Sequence, residues 1–366
     1  MIEYRVLDDV AAFEQIVDLE IAVWQLDPRD AVPSSMIHAI ILNGGLLVGA
    51  YDEQRVVGLG FAFPVQRNRT WSLWSHMVGV HPDYRDQGIG VAIKQFQRTW
   101  ALERGYKTIS WTFDPLQRGN ANLNLHLLGA TANIYHIDFY GEMTDSINAG
   151  LPSDRLEVTW SLNSPRVKSL AAGKPPAPLT ENLSDEAFIL RRAGDSRPSP
   201  TEPVSWLPKL FIETPIDLAK LKQTDPDIAH QWRLAQRAAL QLAFSRNYIA
   251  IDFVSTESHA YYVLQSPETW DMYVVQCSDN TLYTGIALDV DRRVARHNAG
   301  RGAAYTSSRR PVNLIAVWRY PNRSAALKAE SAFKKLNRVQ KQCIIAEKLP
   351  YRDAPFIGDQ LSNVTE

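Results

Sequence analysis

Cysteine is nearly missing from this sequence. Of 366 residues only Cys277 and Cys343 are cysteine, with no Cys-x-x-Cys spacing, so neither a disulfide framework nor a cysteine zinc cluster is available. Buried structural thiols are the expectation for both. Long hydrophobic runs are also missing: the best, "MIHAIILNGGLLVGAY", is broken by Asn and paired Gly well short of a membrane span. The opening "MIEYRVLDDV" is acidic where a secretion signal is basic. A cytoplasmic protein with no membrane partner is expected. Net charge is close to absent at −1, but its distribution is uneven. Residues 271–349 hold 14 Lys and Arg against 6 Asp and Glu, leaving 25 against 34 elsewhere. One end of the chain should therefore attract polyanions and the rest should not.

With 45% apolar and 22% charged residues the chain reads as globular, and its length favours two or three domains. Residues 1–163 alternate strand-like and helix-like segments in an α+β layout: "LLVGAY" and "RVVGLGFAF" as a hairpin around Asp52-Glu53, then "WSLWSHMVGVH", a helix, and "TISWTFDP". That helix has Ile89, Ile93, Phe96 and Trp100 on one stripe, Lys94, Gln97 and Arg98 off it, and Gly105 as its stop. Residues 164–208 are expected to be an extended connector, because 8 of the 21 prolines fall between 165 and 208. Residues 209–265 then read as a strand-helix-strand unit, too small to stand alone and expected to dock on the first domain. Asp225 and Pro226 open its helix, which carries Ile228, Trp232, Ala235, Ala239 and Leu242. Residues 266–350 form a further domain, and 351–366 a tail.

Two places carry chemistry. In "VGVHPDYRDQGIGVAIKQF" an apolar strand ends at His81-Pro82 and Gly88 and Gly90 open a helix, where successive N–H groups and the helix terminus suit a phosphate. A tight strand-to-helix turn uses the same residues. The stretch resembles the acyl-CoA loop of the GNAT acyltransferases, Arg/Gln-x-x-Gly-x-Gly/Ala, here on Arg85, Gly88 and Gly90. Further likeness runs through "WTFDPLQRGNANLNLHLLGA", "DFYG", "NAGLPSDRLEVTW" and "DPDIAHQWRLAQRAALQLAFSRNYIAIDFV", similar to a GNAT branch with an extra C-terminal strand-helix-strand piece. The resemblance implies a mixed sheet with flanking helices. It also implies that Arg85, Asp86, Gln87, Gly88, Ile89 and Gly90 bind acetyl-CoA or another acyl-CoA, whose thioester an amine attacks. The tyrosine that many members use as acid is missing from "NANLNLHLLGA"; Tyr140, His126 and Tyr135 are the substitutes, and Asp114 is either a base or a cap.

The second place is "DMYVVQCSDNTLYTGIALDVDRRVARHNAGRGAAYT". Asp279-Asn280 signals a turn between two strands, bringing Tyr273 and Tyr283 into one region, and Asp289 caps a short helix on which Arg293 and His297 share a face. In "RSAALKAESAFKKLNR", Glu330 lies in a stripe with Ala326, Leu327, Phe333 and Leu336. A carboxylate there either pairs with Arg293 or a lysine, or holds a hard cation. The segment from Met272 to about Leu349 resembles the GIY-YIG nuclease domain of the small stand-alone type, an α/β sandwich, with "MYVV" and "LYTG" replacing the literal triplets. The resemblance implies phosphodiester hydrolysis. Glu330 would hold Mg²⁺ or Mn²⁺, Arg293 would stabilise phosphoryl charge, and Tyr273, Tyr283 and His297 would orient and deprotonate water. Asn298 and Tyr305 would support them, and Arg301, Arg309, Arg310, Lys334, Lys335 and Lys341 would face the backbone of a nucleic acid, DNA before RNA. A fusion of acyltransferase and nuclease leads; an acyltransferase with a non-cleaving nucleic-acid module, or a non-catalytic CoA and nucleic-acid sensor, is the alternative.

Overall fold

In the computed structural model the chain divides into two compact units, Met1–Gln265 and Ser266–Glu366. The described residues are 2–143, 149–176, 185–194, 196–201, 207–266, 269–320, 322–352, 354 and 356–358. The first unit runs β1 (Glu3–Val6), α1 (Val10–Trp24), α2 (Ser34–Leu42), β2 (Leu46–Asp52), β3 (Arg55–Arg67), β4 (Thr70–Val80), α3 (Ile89–Glu103), β5 (Thr108–Phe113), α4 (Arg118–Ala121), β6 (Thr131–His136) and β7 (Arg155–Ser161). It continues with α5 (Pro165–Ala171), β8 (Phe188–Arg192), β9 (Pro198–Pro200), β10 (Lys209–Glu213), α6 (Leu218–Thr224), α7 (Pro226–Ser245), β11 (Ile249–Ser255) and β12 (Ala260–Gln265).

Its strands form one sheet in the order β1-β2-β3-β4-β5-β7-β6-β11-β12-β10-β8-β9. Among the described residues two neighbour pairs are parallel, β4 with β5 and β8 with β10. The β4–β5 pairing is confined to Leu73–Ile109 and Trp74–Ser110, although β4 runs on to Val80 and β5 to Phe113. Beyond those rungs the two strands part, and a cavity opens between them.

The strand-helix-strand extension completes this unit, because β11 pairs with β6 and shares a core with β5 and β7 around Trp160, Trp232 and Phe253. As its composition suggests, α7 starts at Pro226 with the Asp225 side chain accepting the Ile228 N–H at 3.0 Å. Its buried face is more polar than the apolar stripe predicts: Arg233 and Gln236 are enclosed while Leu242 is exposed. The reason is a buried acid opposite, since Arg233 donates to Asp114 at 2.7 Å.

Three further expectations need correction. The proline-rich stretch is not merely a connector: β8 and β9 extend the sheet from β10, burying Phe188, Ile189 and Leu190. An apolar strand there finds a partner edge that composition averages over. Residues 177–184 and 202–206 of that stretch lie outside the described residues. On α3, Lys94 and Gln97 are buried instead of solvated, because Ser75 on β4 meets both. Cys277 is buried but Cys343 is exposed, on a helix whose residues all retain some contact with water.

The second unit runs β13 (Trp270–Cys277), β14 (Leu282–Ala287), α8 (Val290–Asn298), α9 (Ala304–Ser307), β15 (Val312–Tyr320), α10 (Arg323–Lys335), α11 (Arg338–Ala346) and β16 (Phe356–Gly358). Its sheet is antiparallel throughout, in the order β14-β13-β15-β16. The β13–β14 turn bends at Asn280 with a positive φ of 61°, while Asp279 accepts from the Thr281 N–H and hydroxyl. Asn tolerates that left-handed backbone. Helix α10 buries Ala326, Ala329 and Phe333 against Trp318, and Leu327 points outward instead of joining the stripe. No described helix in either unit is long and apolar enough to cross a membrane.

Glu20 on α1 is a buried acid whose two oxygens accept only the Val32 N–H, at 3.2 Å each. Burial pushes its carboxyl from 4.5 up to about 7, against a small opposing pull from that N–H. The folded state therefore holds the proton more tightly than the unfolded chain. This contribution is complete below pH 4.5 and is lost as pH rises through 7. Glu20→Gln should stabilise the first unit at pH 8 by roughly 1–3 kcal/mol and change little at pH 4.5, in paired thermal melts.

Candidate functional sites

The first site lies where β4, β5 and α3 meet. After β4 the chain makes a single turn of 3-10 helix over Pro82–Tyr84, with the His81 ring accepting the Asp83 N–H. Asp86 and Gly88 both take positive φ, 61° and 77°, and Gly88 is the N-cap residue of α3. Residues in that conformation alternate the direction of backbone N–H groups and gather them into a concave anion cradle. A Cβ built on Gly88 meets nothing within 4 Å, and one on Gly90 meets only Val80 at 3.9 Å. The space before these amides is open, and a phosphate can approach them. Arg85 is turned back, donating to the Val23 carbonyl at 3.2 Å.

The cavity beside the cradle has a volume of about 540 Å³. Its walls include His76 to Val80 of β4, Trp111 to Phe113 of β5 with Asp114 just after it, Arg85, Lys94 and Arg155. Burial holds the His76 imidazole below its ordinary value. Asp114 lines the cavity, but both oxygens are occupied: one accepts the Leu116 N–H and the other Arg233. Tyr140 is half exposed and its ring lies 5.1 Å from the Arg155 guanidinium. His126 is not in the wall: its Nδ1 is 2.9 Å from Asp252, which also pairs with Arg166. Tyr135 is half-buried elsewhere, donating to Asp154 at 2.6 Å. Burial raises its phenol, as does the Asp154 carboxylate. Asp154 itself works against burial through hydrogen bonds from Arg237 and Tyr135, which hold it below the usual range. Lys94 and Arg155, which the spacing of motifs does not single out, are the polar residues this geometry adds.

The second site is built on β13, β14 and α8. Tyr273, fully buried, places its hydroxyl 2.9 Å from His297 Nε2 and accepts from Arg293 Nε at 3.4 Å. On the other edge of the imidazole, Nδ1 lies 2.6 Å from Thr306 Oγ1, whose own proton goes to the Ala303 carbonyl at 2.9 Å. The Ala303 N–H also points at Nδ1, at 3.4 Å, so both ring nitrogens are engaged within the unit. Burial, with Arg293 and Arg296 nearby, lowers the His297 value and keeps the ring neutral. Burial likewise pushes the Tyr273 phenol up to about 12, with Arg293 pulling the other way.

Tyr283 is only partly buried, its ring 5.2 Å from that of His297 and stacked on exposed Tyr305 at 6.1 Å. Arg293 is held protonated first by its hydrogen bond to Tyr273 and also by Tyr283. Glu330 on α10 is within electrostatic reach of Tyr273, its side chain 16% exposed, and Lys334 donates to it at 2.7 Å. All five signature residues are thus gathered in one unit. Asn298 has a different task, pairing with both the N–H and carbonyl of Val312 to tie α8 to β15. Of the basic residues, Arg309 pairs with Asp279 and Lys334 with Glu330, while Arg301, Arg310 and Lys335 are exposed.

No group of three or more His, Cys, Asp or Glu that could hold a metal ion exists among the described residues. A lone carboxylate still fits Mg²⁺, which is commonly bound by one or two carboxylates with waters and substrate phosphates completing the octahedron.

Fold and sites together define a two-unit chain with an acyltransferase-type cleft and a nuclease-type tyrosine cluster. Residues 13–129 match the Acetyltransferase (GNAT) family model, and residues 269–342 match the GIY-YIG catalytic domain. A UPF0213 protein of Natronomonas pharaonis is 46% identical over 76 residues, 21% of this chain and 89% of that one. A UPF0213 protein of Listeria innocua is 50% identical over 76 residues, 21% of this chain and 84% of that one. Among solved structures, the ribosomal-protein-S18-alanine N-acetyltransferase from Escherichia coli superposes with a TM-score of 0.36 at 12% identity, covering 50% of this chain and all of that one. The chain belongs to the GIY-YIG family through its C-terminal unit and carries a GNAT acetyltransferase domain in its N-terminal unit.

Two glycines and a threonine were not legible as site residues. A Cβ on Gly285 would stand 2.6 Å from the Tyr273 hydroxyl, and one on Gly302 would run into His297 Nδ1. Neither clash is with a free end, since both rings are enclosed. Gly302→Ala should destabilise the second unit by about 1–3 kcal/mol, read as a lower urea midpoint for that unit with the first unit unchanged.

Proposed function

We propose that this chain joins an acyl-CoA-dependent N-acyltransferase to a metal-dependent nuclease that cleaves phosphodiesters in DNA. The observation that carries the nuclease half is the enclosed Tyr273–His297 pair held against Arg293, with Tyr283 alone of the two tyrosines reaching solvent. In this reading Tyr283 meets the attacking water and, acting as the phenolate, takes its proton to become the phenol. The oxygen forms its bond to phosphorus as the bond to the leaving strand breaks. Arg293 steadies the charge gathering on the phosphoryl oxygens. Tyr273 and His297, shut away from water, act through Arg293 as positioning residues. Glu330 would hold the divalent ion, which supplies charge neutralisation at the phosphoryl and leaving oxygens. The exposed Arg301, Arg310 and Lys335 offer the polyanion positive charge.

The acyltransferase half is supported by the open cradle at Gly88 and Gly90 and by the cleft where β4 leaves β5. Amides of Gln87 to Gly90 would face the CoA pyrophosphate. An amine would form its bond to the thioester carbonyl carbon, the carbon–sulfur bond would break, and the thiolate would take a proton. Tyr140, its ring 5.1 Å from the guanidinium of the cavity-lining Arg155, would give that proton, whereas His126 is committed to Asp252.

Two measurements test the halves separately. Labelled DNA should be cut by the full chain with Mg²⁺, not with EDTA, and Glu330→Ala should slow cutting by about 10²–10³-fold, the usual scale for losing such charge stabilisation. Equal cutting by both proteins would sink the assignment. For the other half, Gly90→Asp puts a side chain and a negative charge into the cradle. It should weaken acetyl-CoA binding by calorimetry at least about tenfold and leave DNA cutting unchanged.

A further inference from the structure

Lys94 is the least expected group in the first unit. It sits one turn into α3 with 2% of its surface exposed, yet it lines the cavity between β4 and β5. Its Nζ donates to Ser75 Oγ at 2.8 Å and lies 3.5 Å above the centre of the Trp111 ring. The Ser75 hydroxyl is already donating to Gln97 Oε1 at 3.1 Å, so Ser75 meets Lys94 as an acceptor only. One serine oxygen and one ring face are little for a group with three N–H donors. No carboxylate among the described residues pairs with it, and burial alone pulls its pKa well below the usual lysine range, so an entering carboxylate is what would hold it as the ammonium.

The rest of the wall has the same sign. Arg85 and Arg155 line it, and the one acid among its described lining residues, Asp114, is already bonded to Arg233. A polycationic acceptor would find no free carboxylate there. An anionic group would find Lys94 short of a partner, in a place where water screens charge poorly.

We propose that Lys94 Nζ, steadied by Ser75 and Trp111, is a carboxylate subsite in the acyl-transfer cavity, so that one substrate carries a carboxylate next to the reacting centre. The inference rests on the acyl-CoA reading of this cavity. The same chemistry has two sources, an acyl group ending in a carboxylate, as in succinyl-CoA, or an acceptor amine that is an amino acid. In either case Lys94 leaves the thioester untouched and recognises the substrate beside it.

The test is calorimetry on the full chain with acetyl-CoA, succinyl-CoA, and amino acids against their amides at saturating CoA. Wild type should bind succinyl-CoA more tightly than acetyl-CoA, or glutamate and glycine more tightly than their C-terminal amides, by about tenfold or more, the scale of one charge-assisted hydrogen bond. The first result assigns the acyl source and the second the acceptor source. Lys94→Met should erase whichever preference is found, and Ser75→Ala should reduce it. The wild-type ligand series decides even if Lys94→Met fails to fold. Acetyl-CoA binding with no carboxylate preference in either arm overturns the subsite alone, as does a preference that survives in folded Lys94→Met. Failure of every CoA thioester to bind overturns the acyl-CoA reading and the subsite with it.

Discussion

Arg233 and Asp114 meet at 2.7 Å with side chains 1% and 8% exposed, across 119 residues of chain. Such a pair, taken out of water, is costly to form and more costly to leave half made. It ties α7 to the end of β5, where the cavity begins, so the extension after the proline-rich stretch is part of the acyltransferase-type unit. Tyr262, donating to the Pro115 carbonyl at 2.6 Å, pins β12 to the same corner. The cavity wall is thus held from behind by residues more than a hundred positions later. Gly79 contributes from the other side, because a Cβ there would stand 2.9 Å from Trp24 and 3.0 Å from Val23 and force α1 off β4.

The two units solve one problem in different ways. Each needs polar groups in a place with little water, and each must leave few of them unpaired. In the second unit the solution is a closed chain, Arg293 to Tyr273 to His297 to Thr306 to the Ala303 carbonyl. Every member has its partner, and the imidazole is gripped on both edges. In the first unit the solution is left open at Lys94, whose neighbours satisfy it only in part.

Burial also sorts the tyrosines by task. Tyr273 is enclosed and titrates far above neutrality, so its oxygen is a fixed hydrogen-bonding point under working conditions. Tyr283, of the same chemistry and on the neighbouring strand, reaches water and stacks on Tyr305. Register places them: Tyr273 faces Gly285 across the β13–β14 ladder, and a glycine is required there because the Tyr273 hydroxyl takes up the space.

Local pattern was enough for much of this. The strand, turn and helix around Gly88 and the β13–β14 hairpin depend on contacts a few residues long. Asp225, Asp289 and Asn280 act through bonds to residues no more than three positions away or through their own backbone angles. The two families were legible for the same reason, because their signatures are short runs with fixed spacing. Lys94 read as solvated because it lies off an apolar stripe, and only β4 arriving with Ser75 turns that face inward. The strand β8 was hidden by the prolines around it until the edge of β10 supplied a partner. Gly302 and Thr306 gain their meaning from the His297 ring folded against them. What the sequence by itself determined was therefore the local geometry and the two family signatures. Which polar side chains are shut away from water, and with which partners, was decided only when distant segments packed, since burial is a property of neighbours that no single stretch contains.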